Sequence, residues 1–474
     1  MSAEKAHTHN SERGMTPWRI VGFACYQSFI YAGFYSSGGS AISLDGNDYY
    51  RLDLLATLIC MALGFTFINI APIVSRALDA STWSVPCCAV MMLVGVAFAQ
   101  VVSETTALSL IAYGVLTGIP LALLLRWWGA EFGKDSPNQA AADVMIASGL
   151  AAGLCFVAGC VDALGSVVVQ CAVTALSAGV LMRLQDRSAS SNRVCDARAL
   201  SRVEAAPHHE WRLAMGGTMM YGFAAGIMEI YVFLTYSTGM RVLNTALFIL
   251  LLFCIAAYQS LTWKDDSSTA SLAFLYKTVV MIVVAGFFLT PILEGVSDLG
   301  ETVVLGGFLG LQTTLAGAFI AISSKTATPV QDGFTRGFFA LFAGEAFGIL
   351  FGNATQYAPM LTAFGPGELV AIGGIAMLFA YLYLFTNNSF AQYSEAVTPQ
   401  DGKERAAYAM AREYRLSPRE TEVIELALRG WTNERISQEL YVSKSTVDTH
   451  LRRIYGKLGI HTRQELYDLA GRGR

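Results

Sequence analysis

A set of polar and basic side chains close to the end of the chain has the residue types and spacing needed to contact nucleic acid. In the stretch SKSTVDTHLRRIYGKLG, residues 443–459, apolar residues recur at i, i+4, i+7 and i+11 and predict the buried stripe of an α-helix. The stripe consists of Val447, Leu451, Ile454 and Leu458. The opposite face carries Lys444, Ser445, Asp448, Thr449, Arg452 and Arg453. Basic side chains on such a face bind phosphates, and polar ones beside them can read base edges in the major groove.

Two carboxylates lie deep within apolar stretches, Glu229 in YGFAAGIMEIYVFL and Glu345 in GFFALFAGEAFGIL. An ionisable residue inside a membrane is costly and usually faces a cavity or a partner. Neither has an obvious Lys or Arg partner in the sequence, so one interpretation is a polar ligand pocket in which each carboxyl is protonated or awaits a cationic ligand. The alternative is interhelical hydrogen bonding that holds the helices together. The same two interpretations apply to the amides Gln27, Gln259 and Gln312.

The composition indicates that a membrane surrounds most of the chain. Of 474 residues, 54% are apolar and 14% are charged, whereas soluble proteins carry about 25% charged residues. Residues 403–474 contain fourteen basic and ten acidic residues, a net charge of +4, and the remainder has a net charge of −8. The nine cysteines form no C-x-x-C pair, and there is no Walker motif or nucleophile elbow. We therefore expect no metal site, no cofactor and no enzymatic activity.

Twelve apolar stretches are long enough to cross a bilayer, which needs about 20 residues per helix. The predicted spans are 18–36, 54–75, 83–102, 106–127, 143–161, 163–183, 213–235, 242–262, 272–293, 302–323, 335–357 and 367–386. The first is too long for a signal-peptide core, and we interpret it as a retained helix. Residues 1–17 form a polar tail, and the long loop 184–212 divides the spans into two groups of six.

The charges of the loops predict the orientation. With the N-terminus inside, the inner loops contain twelve Lys or Arg residues, whereas the outer loops contain only Arg51 and Arg241. Both termini then lie in the cytoplasm of a cell whose inner membrane holds the helices. Trp127 and Trp128, beside Arg126, indicate an anchor at the inner membrane–water interface, with a role in signal transmission as the alternative.

Two groups of six spans resemble the topology of the major facilitator superfamily of transporters, in which two halves close on a central cavity. The loop after the second span, SRALDASTWS, keeps Arg76 and Asp79 but lacks the glycines and basic cluster of that family's motif. This departure argues against active transport.

The last part of the chain carries start and stop signals for four short helices. Ser417 is a suitable N-cap, Pro418 suits the first helical position, and Glu420 stands at the capping-box spacing. Thr432 and Ser443 are the expected caps of the second and third helices. The predicted helices are 418–429, 433–440, a third that begins at 444, and 463–469. Two helices joined by a tight turn, the second with a basic outer face, indicate a helix-turn-helix.

This region closely resembles the LuxR-type, NarL/FixJ-like DNA-binding domain. The resemblance is carried by LSPRETEVIEL, Gly430, Asn433, Ile436, Leu440, VSKSTV, THLRRIYGKLG, Thr462 and Arg463. It implies binding of double-stranded DNA as a homodimer, which usually pairs through the fourth helix, and control of transcription by RNA polymerase. Together with the polar face it assigns DNA contacts to Thr432, Asn433, Arg435, Ser443, Lys444, Ser445, Thr446, Asp448, Thr449, Arg452, Arg453 and Lys457.

Two positions depart from the family's pattern. Glu434 and Arg435 replace a usual Lys-Glu pair, which moves a positive charge by one place. Asp448 replaces a frequent lysine at a position that faces the major groove in the family. A carboxylate there can accept a hydrogen bond from the cytosine amino group, whereas lysine would favour guanine. Alternatively, Asp448 pairs with Arg452 one helical turn away.

The sequence thus predicts an all-α protein with a twelve-helix transmembrane bundle, residues 18–386, a linker, residues 387–415, and a four-helix DNA-binding domain, residues 416–474. We expect a one-component regulator in which the bundle, embedded in membrane lipid, senses a small molecule. The alternative is a transporter of the major-facilitator type with an added gene-regulatory tail.

Overall fold

The computed structural model describes most of the chain with gaps between and within elements. The described residues are 16–32, 41–44, 47–102, 106–134, 137–191, 208–235, 272–293, 299–326, 328–357, 365–386, 407, 410–411, 414, 416–428, 430–440 and 442–472. The chain divides into two compact units, Met1–Ser394 and Glu395–Arg474.

The described residues of the first unit form helices and one small hairpin. Its helices are α1 Thr16–Ile30, α2 Leu52–Ile70, α3 Pro72–Ala80, α4 Ser84–Val101, α5 Ala107–Phe132, α6 Pro137–Cys160, α7 Ala163–Ser191, α8 His208–Thr235, α9 Leu272–Leu293, α10 Leu299–Lys325, α11 Val330–Tyr357 and α12 Pro366–Thr386. Its strands are β1 Ala41–Leu44 and β2 Asn47–Tyr50. The second unit contains α13 Pro418–Leu428, α14 Asn433–Glu439, α15 Lys444–Leu458 and α16 Arg463–Arg472.

Nine helices in the described part of the chain are long and apolar enough to cross a membrane. Large apolar side chains on α2 point away from the protein, with Leu63 60% and Phe67 56% exposed, as expected of a surface that faces lipid chains. The eighth predicted span, 242–262, lies outside the described residues, so the count of twelve stays a prediction. The protein is a multi-pass membrane protein whose described helices follow the predicted order.

The second predicted span, 54–75, is broken in the structure. α2 ends at Ile70, and α3 starts at Pro72. A proline has no backbone N–H and keeps the preceding residue out of the helical region, and Ala71 accordingly has φ −112° and ψ 70°. Proline suits the first position of a new helix, so the break creates α3 rather than a loop.

The hairpin β1–β2 is an element that the sequence analysis did not predict. The strands pair antiparallel, with Ala41 opposite Tyr50 and Leu44 opposite Asn47. The hairpin leads directly into α2 through Arg51, whose φ of 55° places it in the left-handed region. Four-residue strands are too short to give a clear alternating pattern in a sequence.

The helices pack in two groups that meet through α10 and α11. In the first group α5 packs between α2 and α4, while α1 packs against α6 and α7. In the second group α8 packs against α11 and α12, and α9 against α10. Between the groups, α11 contacts α2 and α5, and α10 contacts α6.

Glycines bring α8 and α11 into backbone contact. A Cβ atom on Gly222 would lie 2.0 Å from the carbonyl oxygen of Leu341, and one on Gly344 would lie 2.0 Å from that of Met219. Gly226 and Gly348 make the same close approach one helical turn later. Small residues at this four-residue spacing let membrane helices cross at short distance.

The second unit has a hydrophobic core of its own. Val423, Ile424 and Ala427 of α13 are fully buried, and so are Ile436 of α14 and Leu466 of α16. The predicted stripe on α15 is confirmed, since its four members are 0–7% exposed: Val447, Leu451, Ile454 and Leu458.

Candidate DNA-binding face and polar sites of the bundle

The N-terminal caps of the second unit form as predicted. The side-chain oxygen of Ser443 accepts a hydrogen bond from the backbone N–H of Thr446 at 3.2 Å, and that of Thr432 accepts from Arg435 at 3.3 Å. Ser417 and Glu420 form the reciprocal capping box. The backbone N–H of Glu420 donates to Oγ of Ser417 at 3.3 Å, and the backbone N–H of Ser417 donates to Oε2 of Glu420 at 2.7 Å. These bonds satisfy backbone donors that would otherwise lack partners, and they fix where α13, α14 and α15 begin.

Half of the predicted DNA contacts lie on one exposed face. Lys444, Ser445, Thr449, Arg452 and Arg453 are all exposed on α15, opposite its buried stripe. Arg452 and Arg453 are both open to solvent, so this surface carries a positive charge that can bind phosphates. We call this surface, together with Asp448, the basic face of α15.

Residues at the start of α14 lie beside the basic face. The guanidinium of Arg435 lies 4.2 Å from the ring centre of Trp431, a cation–π contact. Arg435 is thus held on an aromatic ring while its side chain stays exposed. The positive charge that the sequence places at position 435 rather than 434 is therefore a guanidinium held on the Trp431 ring.

Asp448 has a specific partner in the structure. Nδ2 of Asn433 donates a hydrogen bond to Oδ1 of Asp448 at 2.7 Å, across fifteen positions of sequence. Asp448 and Arg452 are both among the described residues, and they do not pair with each other. The acid of the basic face is therefore held by α14 rather than by its own helix.

Arg463, at the start of α16, joins three segments. Its Nη2 donates to the backbone oxygen of Ala427 at 2.8 Å and also to that of Trp431, while its Nε lies 3.1 Å from the hydroxyl of Tyr467. Its Nη1 lies 3.4 Å from Oδ1 of Asn433. Gly430 has φ 90°, which lets the chain turn so that these carbonyl groups face the guanidinium.

Lys457 has a different environment from the other predicted DNA contacts. Its Nζ lies 2.6 Å from Oε2 of Glu420, whose side chain is 6% exposed. Burial raises the pKa of Glu420, but hydrogen bonds from Lys457 and Ser417 outweigh it and hold the pKa below its ordinary value. This ion pair ties α15 to the start of α13.

Within the bundle, the expectation that Glu229 lacks a basic partner is wrong. Nη1 of Arg51 lies 2.6 Å from Oε2 of Glu229, and both side chains are 3% exposed. Arg51 was assigned to an outer loop from its sequence context, yet it reaches inward from the end of the hairpin. The pair connects the first helical group with α8 of the second.

The same hairpin is also bonded to α11. The side-chain amide of Asn353 accepts from the backbone N–H of Tyr50 at 2.8 Å and donates to its carbonyl at 3.0 Å. The hydroxyl of Tyr357 bonds to the backbone oxygen of Asp48, and its ring centre lies 5.0 Å from that of Tyr49. We call these contacts, with the Arg51–Glu229 pair, the hairpin contact.

A second ion-pair group joins the helical groups at the other end of α11. Arg126, which is 5% exposed, lies 2.7 Å from Asp79 and 3.0 Å from Asp332, the latter in the first turn of α11. Nε1 of Trp127 donates to Asp79 at 2.8 Å. We call this group the Arg126 contact.

The predicted tryptophan anchor is wrong. Trp127 is 3% and Trp128 0% exposed within the protein, where an interfacial anchor would face lipid. Trp128 packs against the ring of Phe23, and its Nε1 lies 3.3 Å from the hydroxyl of Ser177. These tryptophans pack and hydrogen-bond between helices.

The remaining candidate ligand residues are distributed over several helices. The hydroxyl of Ser148 on α6 lies 2.9 Å from Oε1 of Gln27 on α1. Gln312 is 5% exposed on α10, and Glu345 is fully buried where α8 crosses α11. Gln259 lies outside the described residues. The structure thus places Glu229 in the hairpin contact and the other described candidates on separate helices, all of them buried.

Sequence reasoning missed the partners of these polar residues. Arg51 and Glu229 are separated by 178 positions, and Arg126 and Asp332 by 206. A buried pair, Arg19 and Asp143, joins α1 to α6 in the same way. The sequence offered one kind of signal, a charged residue within or at the end of an apolar stretch, which marks a residue that needs a partner but does not say which.

Comparison with known families identifies the second unit. Residues 414–470 match the model of the bacterial regulatory proteins of the luxR family. An HTH-type transcriptional regulator of Mycobacterium tuberculosis strain H37Rv is 44% identical over 57 residues, and the HTH-type transcriptional regulator MalT of Yersinia pestis strain Pestoides F is 42% identical over 57 residues. Each match covers 12% of this chain and only 6% of the relative. The likeness is therefore confined to the DNA-binding domain.

Solved structures similar to this chain are membrane transporters. The human organic anion transporter MFSD10 (TETRAN) has a TM-score of 0.47 and 12% identity, over 70% of this chain and 81% of its own. A variant of the peptide transporter POT in complex with alafosfalin has a TM-score of 0.46 and 12% identity, over 80% of this chain and 94% of its own. Taken with the confirmed caps and core of the second unit, the family match identifies residues 414–470 as a LuxR-type helix-turn-helix DNA-binding domain, carried by a multi-pass membrane protein.

Proposed function

We propose that this chain is a membrane-bound, one-component transcriptional regulator. In this proposal residues 18–386 sense a small molecule, residues 387–415 transmit the response, and residues 416–474 bind DNA. The observation that carries the proposal is that α11 joins the two helical groups near both of its ends. Asp332 in its first turn bonds to Arg126, and Asn353 near its last turn bonds to the hairpin. The 21 positions between them correspond to about 30 Å of helix, the thickness of a bilayer core.

Contacts between the helical groups near both ends of α11 support sensing. A ligand that binds one arrangement of the helices better than another shifts the population between them, and buried ion pairs give each arrangement a distinct set of contacts. A transporter must open each end in turn during every cycle. A sensor needs only one change on binding, which the domain on the cytoplasmic side can read.

The ligand side is proposed to use the buried polar residues of the bundle. Glu345, Gln312 and Gln27 are buried on three different helices, Glu229 lies at the hairpin contact, and Gln259 completes the set. A carboxyl and several amides would suit a small molecule with a cationic or hydrogen-bonding group, reaching the bundle from outside the cell or from the lipid.

The DNA side is proposed to use the basic face of α15 and the start of α14. Lys444, Arg452 and Arg453 would bind phosphates, and Asp448 and Thr449 would face base edges. As in the luxR family generally, the DNA-bound form would be a homodimer acting with RNA polymerase. The loop charges support a bundle in the inner membrane of a bacterial cell with both termini in the cytoplasm, where the DNA is.

The experiment that tests the proposal is chromatin precipitation of the full-length tagged chain with and without a panel of small molecules. We expect enrichment of specific promoters that changes with one class of compound. No enrichment over a variant with Arg452 and Arg453 changed to alanine would overturn it.

The second candidate function is a transporter with a regulatory tail, favoured by the topology of two groups of six predicted spans. Uptake of the inducing compound into proteoliposomes that contain the purified chain would favour transport. Binding of the compound to the same preparation without uptake would favour the sensor.

A further inference from the structure

We propose that Asn433 is a positioning residue that makes Asp448 a determinant of DNA sequence specificity, selecting cytosine or adenine over guanine or thymine on the strand that it faces in the major groove. The inference rests on the proposed DNA binding. It starts from the hydrogen bond of 2.7 Å between Nδ2 of Asn433 and Oδ1 of Asp448, which joins the start of α14 to the exposed face of α15. Asp448 is exposed, and this bond holds its carboxylate in one orientation.

The orientation of the Asn433 amide follows from its two neighbours. On one side Nη1 of Arg463 lies 3.4 Å from Oδ1 of Asn433. A guanidinium can only donate hydrogen bonds and a carboxylate can only accept them. The amide therefore presents its oxygen to Arg463 and its nitrogen to Asp448. The reverse orientation would place the amide nitrogen, a donor, against the donor Arg463, and the amide oxygen, an acceptor, against the acceptor Asp448.

Arg463 is itself fixed by the fold. Backbone oxygens of Ala427 and Trp431 accept from its guanidinium, and its Nε lies beside the Tyr467 hydroxyl. Ala427 lies in the last turn of α13, and Trp431 lies in the turn between α13 and α14. A rigid part of the domain thus orients Asn433, and Asn433 in turn orients Asp448.

Asn433 engages one oxygen of the Asp448 carboxylate, and within the described part of the chain the other oxygen has no hydrogen-bond partner. A carboxylate near DNA is repelled by the phosphates, so its presence on the basic face is favourable only where it accepts from a donor. In the major groove the donors on base edges are the N4 amino group of cytosine and the N6 amino group of adenine. Released from Asn433, the carboxylate would turn to Arg452 one helical turn away and would lose contact with the base.

The test is selection of binding sites from a random duplex library by the full-length chain in lipid nanodiscs at low salt. The chains compared are the wild type, Asn433→Ala, Asp448→Ala, the double variant and Gln438→Ala, an exposed amide on the same helix as a matched control. Loss of one specific base contact changes the preference at that position by about fivefold or more.

We expect Asn433→Ala and Asp448→Ala to lose the same cytosine or adenine preference at the same position, by at least about fivefold. The double variant should lose no more than either single variant, because both changes remove one contact. Preferences elsewhere in the site, and all preferences of Gln438→Ala, should remain. Thermal unfolding of each variant provides the check that a loss of structure does not produce the result.

Two outcomes would overturn the inference in distinguishable ways. If Asn433→Ala keeps the wild-type preference at every position, the positioning role is wrong while DNA binding stands. If the wild-type chain selects no sequence from the library, the proposed function falls and the inference falls with it.

Discussion

Arg51 and Glu229 form a buried ion pair of 2.6 Å between segments 178 positions apart. Arg51 occupies the junction between the hairpin and α2 with φ 55°, a conformation that non-glycine residues seldom adopt. Its side chain also lies 3.8 Å from Asp53, in the first turn of α2. Because the pair links the two helical groups, its loss should change both the stability and the signalling of the bundle.

The Glu229→Gln variant should be strongly destabilised, because it leaves the Arg51 charge buried beside a neutral group. Removing one member of a buried pair typically costs about 3–5 kcal/mol. Thermal unfolding of the purified chain in detergent would measure the effect. The control is Glu368→Gln, an exposed glutamate at the start of α12, for which we expect a change below about 1 kcal/mol.

A double variant distinguishes the ion pair from simple packing. Combining Glu229→Leu with Arg51→Met should recover much of the stability lost in either single variant, because apolar side chains of similar volume often replace a buried pair without loss. Additive losses in the double variant would show that the two residues act separately.

The Arg126 contact should bias the state of the bundle rather than its overall stability. Asp332 is 35% exposed, so the Asp332→Asn variant should fold normally. It removes one of the two carboxylates that hold Arg126, and we expect the basal output of a promoter reporter to move toward its compound-induced level. Asp186→Asn, an exposed acid near the end of α7, is the matched control and should leave the output unchanged.

The glycine contact between α8 and α11 should tolerate no side chain. An added Cβ at Gly222 would lie 2.0 Å from the oxygen of Leu341, so Gly222→Ala must push the helices apart. We expect a loss of about 1–3 kcal/mol, the usual range for overpacking. At Gly153 on α6 an added Cβ meets nothing within 4 Å, and Gly153→Ala should unfold at or above the wild-type temperature. Equal behaviour of the two variants would contradict the packing.

The sequence predicts more of the structure of the second unit than of the first. The cause is the separation in sequence between a residue and the feature that it determines. Ser417, Thr432 and Ser443 cap helices that begin one residue later, so each signal and its effect share one turn. The partners of Arg51 and Arg126 depend on how helices far apart in sequence pack together. Local residue patterns contain no information on that packing, and so the hairpin contact and the Asn433–Asp448 bond both escaped prediction.

The stability of the second unit should depend on pH through Glu420. Its folded-state pKa lies below the ordinary value of 4.5, so the stabilisation is fully present above that value and is lost as the pH falls through the lower, folded-state pKa. Hydrogen exchange of residues 418–428, corrected for intrinsic rates, would measure the opening free energy between pH 3 and pH 7.

Glu420→Gln should remove this part of the pH dependence and lower protection at neutral pH. Glu422→Gln is the control, since Glu422 is exposed and, among the described residues, its ion pair is with Arg419 of the same helix. Exposed pairs of this kind contribute about 0.3–0.5 kcal/mol. A pH profile that is the same in Glu420→Gln and wild type would show that the Lys457 pair does not stabilise the domain.

Two glycines three positions apart, one within α15 and one at its C-cap, should respond to alanine in opposite directions. Gly459 ends the helix with φ 68°, and its N–H bonds to the oxygen of Tyr455. Alanine in the left-handed region costs about 1–2 kcal/mol, so Gly459→Ala should lower the stability of the domain. Gly456 lies within the helix, exposed, and an added Cβ meets nothing within 4 Å. Gly456→Ala should therefore raise the stability by about 0.5–1 kcal/mol through helix propensity. Exchange protection of Val447 and Leu451 measures both effects, and a loss of protection in Gly456→Ala would mean that this glycine has a packing role that its open surroundings do not explain.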